Sequence, residues 1–169
     1  MKILFLEAVQ NFGGARKSTL ELATRLQKAG HEVLIVDFWG SCKPFIQAVN
    51  DKQLNIKILD QRQEPIILTS SNKLKAFYNK ASYFFYEKKL KSNLNKILKD
   101  FAPDVVSLNN AKCLSLVPPN ANFEIHYFAR GWFNYNSISF RTKYTLKKHK
   151  NIKFLTVSQA TRQAVFAGG

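Results

Sequence analysis

The first 37 residues constrain the fold more than any other part of the chain. Residues 2–8, with the apolar run Ile3-Leu4-Phe5-Leu6, read as a buried strand, and a glycine-containing loop, Asn11-Phe12-Gly13-Gly14, follows. From Ala15 to Ala29 the apolar positions Leu20, Ala23, Leu26 and Ala29 recur at three-residue steps with Leu22 beside them, which is the stripe of a helix. Gly30 stands where a left-handed C-terminal cap belongs. Val33-Leu34-Ile35-Val36 is then an uninterrupted apolar run, the mark of a strand covered on both faces. Strand, glycine loop, helix and strand make a βαβ unit, whose crossover should be right-handed.

The alternation continues. Pro44 to Val49 reads as a short helix and Ile56 to Leu59 as a short strand. Asn72 to Phe101 reads as a long basic amphipathic helix, with Leu74, Phe77, Phe84, Leu90, Leu94, Ile97 and Phe101 on its apolar side and a break expected near Ser82. Pro103 ends it. Asp104 to Leu108 is another buried strand, Pro118-Pro119-Asn120 a loop, and Phe123 to Phe128 a strand. Residues 138–149 read as a helix and Ile152 to Val157 as a sixth strand, and Ser158 is placed to N-cap a last helix reaching Phe166. Strands alternating with helices predict an α/β domain with a doubly wound parallel sheet in a three-layer α/β/α arrangement. Ligands in such a sheet bind beyond the carboxyl ends of the strands, here in the loops after residues 8, 37, 108, 128 and 157.

At 169 residues the chain suffices for one domain with a sizeable core. Its two cysteines, Cys42 and Cys113, have neither CxxC nor zinc spacing, so buried, reduced thiols in an intracellular protein are expected and no metal site is. The apolar run near Met1 stops at Glu7, too early for a signal core, and no run approaches the length of a membrane span. A cytoplasmic location is expected. The formal charge is +15, which implies attraction to an anionic partner such as a phosphorylated substrate, a phospholipid surface or nucleic acid. The excess concentrates in two stretches, Lys73 to Lys99 and Arg141 to Lys153. No nucleic-acid-binding motif accompanies it, so nucleic acid is not expected as a partner.

Gly13-Gly14-Ala15-Arg16-Lys17 opens the first helix, where unpaired N–H groups and the helix dipole suit an anion. Arg16 and Lys17 oppose that dipole, at a cost of roughly 0.3–1 kcal/mol, unless negative charge is supplied nearby. Two families have such a loop. The stretch resembles the deviant Walker A loop of partitioning-type ATPases, but these place Gly before the Lys, and Arg16 stands there instead. It also resembles the N-terminal domain of retaining GT-B glycosyltransferases of family 4, with a Gly-Gly loop and a Gly-His-x-Val turn, here Gly30-His31-Glu32-Val33. Two further stretches favour the second resemblance. Phe101-Ala102-Pro103-Asp104-Val105-Val106 is similar to that family's Pro-Asp-Val strand, and Phe154-Leu155-Thr156-Val157-Ser158 to its strand-to-helix segment.

The GT-B resemblance implies a Rossmann-like, acceptor-side N-terminal domain spanning residues 1–169. A nucleotide-sugar domain bearing a Glu-x7-Glu element would lie outside this chain and be supplied in cis or in trans. The implied reaction moves a sugar from a nucleotide-sugar donor to a glycan, lipid-linked or other acceptor, as in the making of cell-envelope polysaccharide. It uses no metal and no further cofactor, and this half should be inactive alone. Carried over, Gly13 and Gly14 approach sugar and phosphates, and Arg16 and Lys17 are candidate phosphate contacts. Ser158 faces the cleft from a helix N-terminus. The family's His at the end of the fifth strand corresponds to Arg130 when aligned on Gly131, or to His126 when aligned on the imidazole. Trp132, Phe133 and Tyr135 either line an acceptor groove or plug the domain. The basic helix, with Phe77, Tyr83, Phe84, Phe85 and Tyr86, either docks on an anionic membrane at its inner face or packs into the core. The readings that compete are a degenerate P-loop ATPase and a non-catalytic basic module binding membrane or nucleic acid.

Overall fold

The computed structural model describes residues 1–8, 11–61, 73–130, 140–149 and 151–167. The two apolar runs of the first βαβ unit become β1 (Lys2–Glu7) and β2 (Glu32–Asp37), in parallel register with Lys2 opposite Glu32 and Glu7 opposite Asp37. Between them α1 (Gly14–Lys28) ends as its sequence predicts. Gly30 has φ +86°, its N–H bonds Gln27 O, and the His31 N–H reaches back to Leu26 O. These two bonds satisfy carbonyls that the helix end would leave orphaned.

Four further strands complete the sheet: β3 (Asn55–Ile58), β4 (Val105–Leu108), β5 (Glu124–Ala129) and β6 (Ile152–Thr156). The order is β3-β2-β1-β4-β5-β6 and every pairing is parallel. Helices α1 and α2 (Lys43–Asp51) cover one face, where Ile3, Phe5, Val33 and Ile35 meet Leu20, Ala23, Phe45 and Val49. On the other face Leu4, Leu6, Val36, Val106 and Ile125 meet α3 (Lys73–Phe101), the one-turn α4 (Ala111–Leu114), and flanking residues of α5 (Phe140–Lys148) and α6 (Gln159–Ala167). This is the expected three-layer doubly wound sheet. Cys42 and Cys113 are buried and not joined in a disulfide.

Three details differ from expectation. The break near Ser82 is absent: α3 runs unbroken for 29 residues, because its sequence contains neither Gly nor Pro and a lone Ser costs a helix little. Its apolar stripe is buried only in the second half. Leu90, Leu94 and Leu98 pack into the core, whereas Leu74, Phe77, Phe84 and Phe85 are exposed. At ~1.5 Å per residue α3 is about 44 Å long, while a six-residue strand covers only about 20 Å. The helix therefore overhangs the sheet. Finally, α4 is too short to show a period in the sequence, so periodicity missed it.

One buried histidine makes stability depend on pH. His149, directly after α5, packs its ring against Phe123, accepts from the Asn151 N–H, and has Nε2 buried with no partner among the described residues. Burial lowers its pKa from the ordinary value of 6.5. A group held below its unfolded pKa binds fewer protons folded than unfolded, so its contribution is complete above that pKa and is lost as pH falls. Stability of the chain should fall as pH drops below about 6.5, and His149→Phe should flatten that slope in urea titrations at a series of pH values. An unchanged slope would show that His149 gains its proton freely in the folded state.

Candidate functional site

In this strand order the chain direction of winding reverses between β1 and β4, so the crevice of the sheet opens beyond their carboxyl ends. Four strands deliver a polar residue to that edge: Glu7 from β1, Asp37 from β2, Asn109 directly after β4 and Arg130 directly after β5. The loop carrying Gly13 and Gly14 and the first turn of α1 lie against them.

Arg16 is 1% exposed and Asp37 0%, and their side chains form a buried ion pair of 2.6 Å. The guanidinium also sits over the Phe45 ring at 4.3 Å, while its Nε and Nη1 have no hydrogen-bond partner among the described residues. The second oxygen of Asp37 accepts from the Gly40 N–H at 3.1 Å. Gly40 has φ +62°, and a Cβ there would stand 2.8 Å from the Ile58 side chain, so this turn admits only glycine. The negative charge that Arg16 needs in the first turn of α1 thus comes from the protein's own β2. Lys17, by contrast, is exposed, with its ammonium 5.9 Å from the Phe12 ring centre.

Glu7 is the second buried carboxyl. Asn109 donates to its two oxygens at 3.1 and 3.3 Å, and Thr19 donates a side-chain hydrogen bond. Burial raises its pKa above the ordinary carboxylate value. The two hydrogen bonds and the charges of Arg16 and Arg130 oppose that shift without cancelling it. Arg130 donates from Nη1 to the Ala15 carbonyl at 2.9 Å and so ties the end of β5 to the first turn of α1. Its Nε is buried without a partner among the described residues.

Above this layer the glycine loop is open. A Cβ built on Gly13 or Gly14 meets nothing within 4 Å, and Gly13 has the extended backbone (φ −90°, ψ −171°) that any residue can adopt. Among the described residues, neither packing nor backbone strain accounts for these two glycines.

The sequence-derived site residues therefore divide. Gly13, Gly14, Arg16, Lys17 and Arg130 come together at the crevice, with Arg16 turned inward. His126 lies within β5 rather than beyond it, bonded to Glu124, whose other oxygen takes Lys153 at 2.8 Å. Those two bonds, Lys153 first, hold the Glu124 carboxyl below its ordinary pKa. Ser158 follows the outermost strand and N-caps α6, accepting from the Thr161 N–H at 3.2 Å. Gly131, Trp132, Phe133 and Tyr135 lie outside the described residues. Sequence reasoning missed Glu7, Thr19, Asp37 and Asn109. The available signal was a charged or amide residue closing each of three buried apolar runs. Among the described residues no cluster of His, Cys, Asp and Glu could hold a metal ion.

No sequence-family model matches this chain, and no curated protein matches it. Solved structures do. The lipopolysaccharide outer core galactosyltransferase WaaB in its apo form aligns with 100% of the chain and 43% of its own, with TM-score 0.63 and 17% identity. The UDP-GlcNAc 2-epimerase from Neisseria meningitidis bound to UDP-GlcNAc aligns over 99% and 43%, with TM-score 0.63 and 13% identity. MurG from Acinetobacter baumannii aligns over 91% and 41%, with TM-score 0.56 and 15% identity. The chain has the Rossmann-like fold of a GT-B N-terminal domain, and it spans less than half the length of the proteins it matches.

Proposed function

We propose that this chain is the acceptor-side domain of a retaining glycosyltransferase, moving a sugar from a nucleotide-sugar donor to a glycan or lipid-linked acceptor. The donor is held by a second domain, supplied in cis or in trans. The observation that carries this is the Gly13-Gly14 loop, which faces open space at the switch point of the sheet without any internal need for glycine. Backbone N–H groups there can approach a ligand closely, and the N-terminus of α1 favours the negative charge of a leaving diphosphate. No metal or other cofactor is required by this chemistry.

Of the two basic loop residues, Lys17 is on the solvent side and takes the phosphate contact, while Arg16 and Asp37 hold the loop from beneath. Arg130, past the end of β5 and bonded to Ala15, is the better placed of the two β5 candidates to meet the reacting sugar or its phosphate. The overhanging half of α3 presents Leu74, Phe77, Tyr78, Phe84 and Phe85 among lysines. That combination supports peripheral docking on an anionic bilayer at its cytoplasmic face. Among the described residues no helix is long and apolar enough to cross a membrane.

The test is sugar transfer followed by mass spectrometry, with the chain assayed alone and together with its donor-binding domain. Transfer is expected only for the combination. Arg130→Ala should lower kcat by about 10²-fold, the scale for removing one charge-stabilising donor, and His126→Ala should leave it nearly unchanged. Turnover by the isolated chain would defeat the half-enzyme reading. Epimerisation of the nucleotide sugar without an acceptor would make the protein an epimerase, and magnesium-dependent ATP hydrolysis would revive the P-loop alternative.

A further inference from the structure

The layer of helices over β4 and β5 contains a gap. Because α4 is a single turn, it cannot fill the space between α3 and α5. The segment after it, from Ser115 to Pro119, floors a surface cavity of about 520 Å³, within the usual size range of small-molecule sites. Leu116 and Val117 form a buried apolar floor, and Pro118, Phe140 and Tyr144 form the walls. Phe140 is 82% exposed among the described residues, an unusual placement for a phenylalanine. One end of the cavity is polar, where Lys91 and Asn95 of α3 line it.

The charge on the helices flanking this cavity is mainly positive. Among the described side chains, five lysines of α3 and three of α5 outnumber the acidic residues of those helices, Glu87 and Asp100. Glu87 is buried and pairs with Lys91 at 3.2 Å, and Lys91 remains partly exposed toward the cavity. No Asp or Glu is among the lining residues. Lys88, one turn before Lys91, is exposed with its ammonium 4.9 Å from the Phe84 ring centre. The exposed Phe77, Phe84 and Lys88 and the partly exposed Lys91 follow one another at seven-, four- and three-residue steps. They therefore share a face of α3 that leads into the cavity.

We infer that the α3–α5 cavity binds a free single-chain anionic amphiphile, with its hydrocarbon tail on Leu116, Val117, Phe140 and Tyr144 and its acidic head at the Lys88–Lys91 end. The chemistry follows from the lining. An apolar trough gains from burying a hydrocarbon chain at about 25 cal/mol per Å², and Lys91 at its polar end, backed by the exposed Lys88 and with no acid among the lining residues, favours an anionic over a cationic head. A volume of about 520 Å³ suits one chain better than a two-chain lipid. The inference deepens the reading above by giving a lipid-bearing ligand a seat, but it depends on none of the transfer chemistry, because its readout needs no sugar nucleotide.

The probe is cis-parinaric acid, whose fluorescence rises when its chain leaves water, titrated into the chain below the concentration at which it aggregates. Saturable one-to-one binding is expected, displaced by dodecyl phosphate and not by dodecylamine. Val117→Phe, which fills the floor, and the exposed-wall pair Phe140→Ser with Tyr144→Ser should each weaken binding at least about tenfold, or roughly 1.4 kcal/mol. The wall pair keeps the test alive if the floor variant fails to fold. Equal displacement by dodecylamine, or unchanged affinity in the wall variant, would overturn the inference. So would binding seen only with phosphatidylglycerol vesicles and never with the monomeric probe, since the basic face would then be a docking surface without a seat.

Discussion

Replacing Asp37 with alanine is expected to lower the unfolding free energy of the chain by about 3–5 kcal/mol, the range for removing one partner of a buried ion pair. The guanidinium of Arg16 is buried at the start of α1, so without Asp37 it loses the carboxylate it is directly paired with. The contact with Phe45 does not compensate, because it is already present beside the ion pair and adds nothing new when Asp37 is removed. Equilibrium urea denaturation measures the loss as a drop in midpoint at constant slope. Replacing both residues together, Arg16→Met with Asp37→Leu, should recover most of it, since burial of two charges costs nearly what their attraction returns. A loss below about 1 kcal/mol for the single variant would show that water reaches the guanidinium and that the pair behaves as a surface one.

The second large effect separates the two halves of α3. Leu94 is fully buried against Leu4, Val106 and their neighbours, so Leu94→Ala should cost about 2–5 kcal/mol through lost burial and the cavity left behind. Phe85, only nine residues earlier on the same helix, is 70% exposed. Phe85→Ser should change stability by no more than about 0.5 kcal/mol, although it removes the larger side chain. The same urea measurement reads both. A comparable loss at Phe85 would mean that the overhang packs against the body of the protein rather than extending beyond it.

How much of this was legible in the sequence depends on the range of the signal. Every strand could be read: β1, β2 and β4 are buried on both faces and leave apolar runs such as Ile3 to Leu6 and Val33 to Val36, while the edge strands β3 and β6 alternate in exposure. Gly30 could be read because a helix end that turns left-handed selects glycine within a few residues of the stripe. The fate of Arg16 could not. Local reasoning sees a cation at the wrong end of a helix, and only the parallel register that sets β2 beside β1 brings Asp37, 21 residues on, within 2.6 Å of it. The same applies to Glu7 and Asn109, 102 residues apart. For α3 the apolar period was correct along its length, but period does not say where the sheet beneath the helix ends. Leu74 and Phe77 satisfy the stripe as well as Leu90 and Leu94 do, yet the first pair is exposed and the second is buried in the core.

The polar layer under the glycine loop also bears on how the strands find their alignment. Apolar side chains on a strand buried on both faces are nearly interchangeable, so Ile3 to Leu6 would tolerate a shift against Val33 to Val36 with little loss of burial. Glu7 and Asp37 are not interchangeable with their neighbours. A slip by one residue would turn either carboxylate to the opposite face of the sheet, away from Asn109 or Arg16, and strand it among leucine and valine side chains. The residues that line the crevice thereby act also as a ratchet pin, making a misaligned sheet bury two carboxyl groups away from their partners.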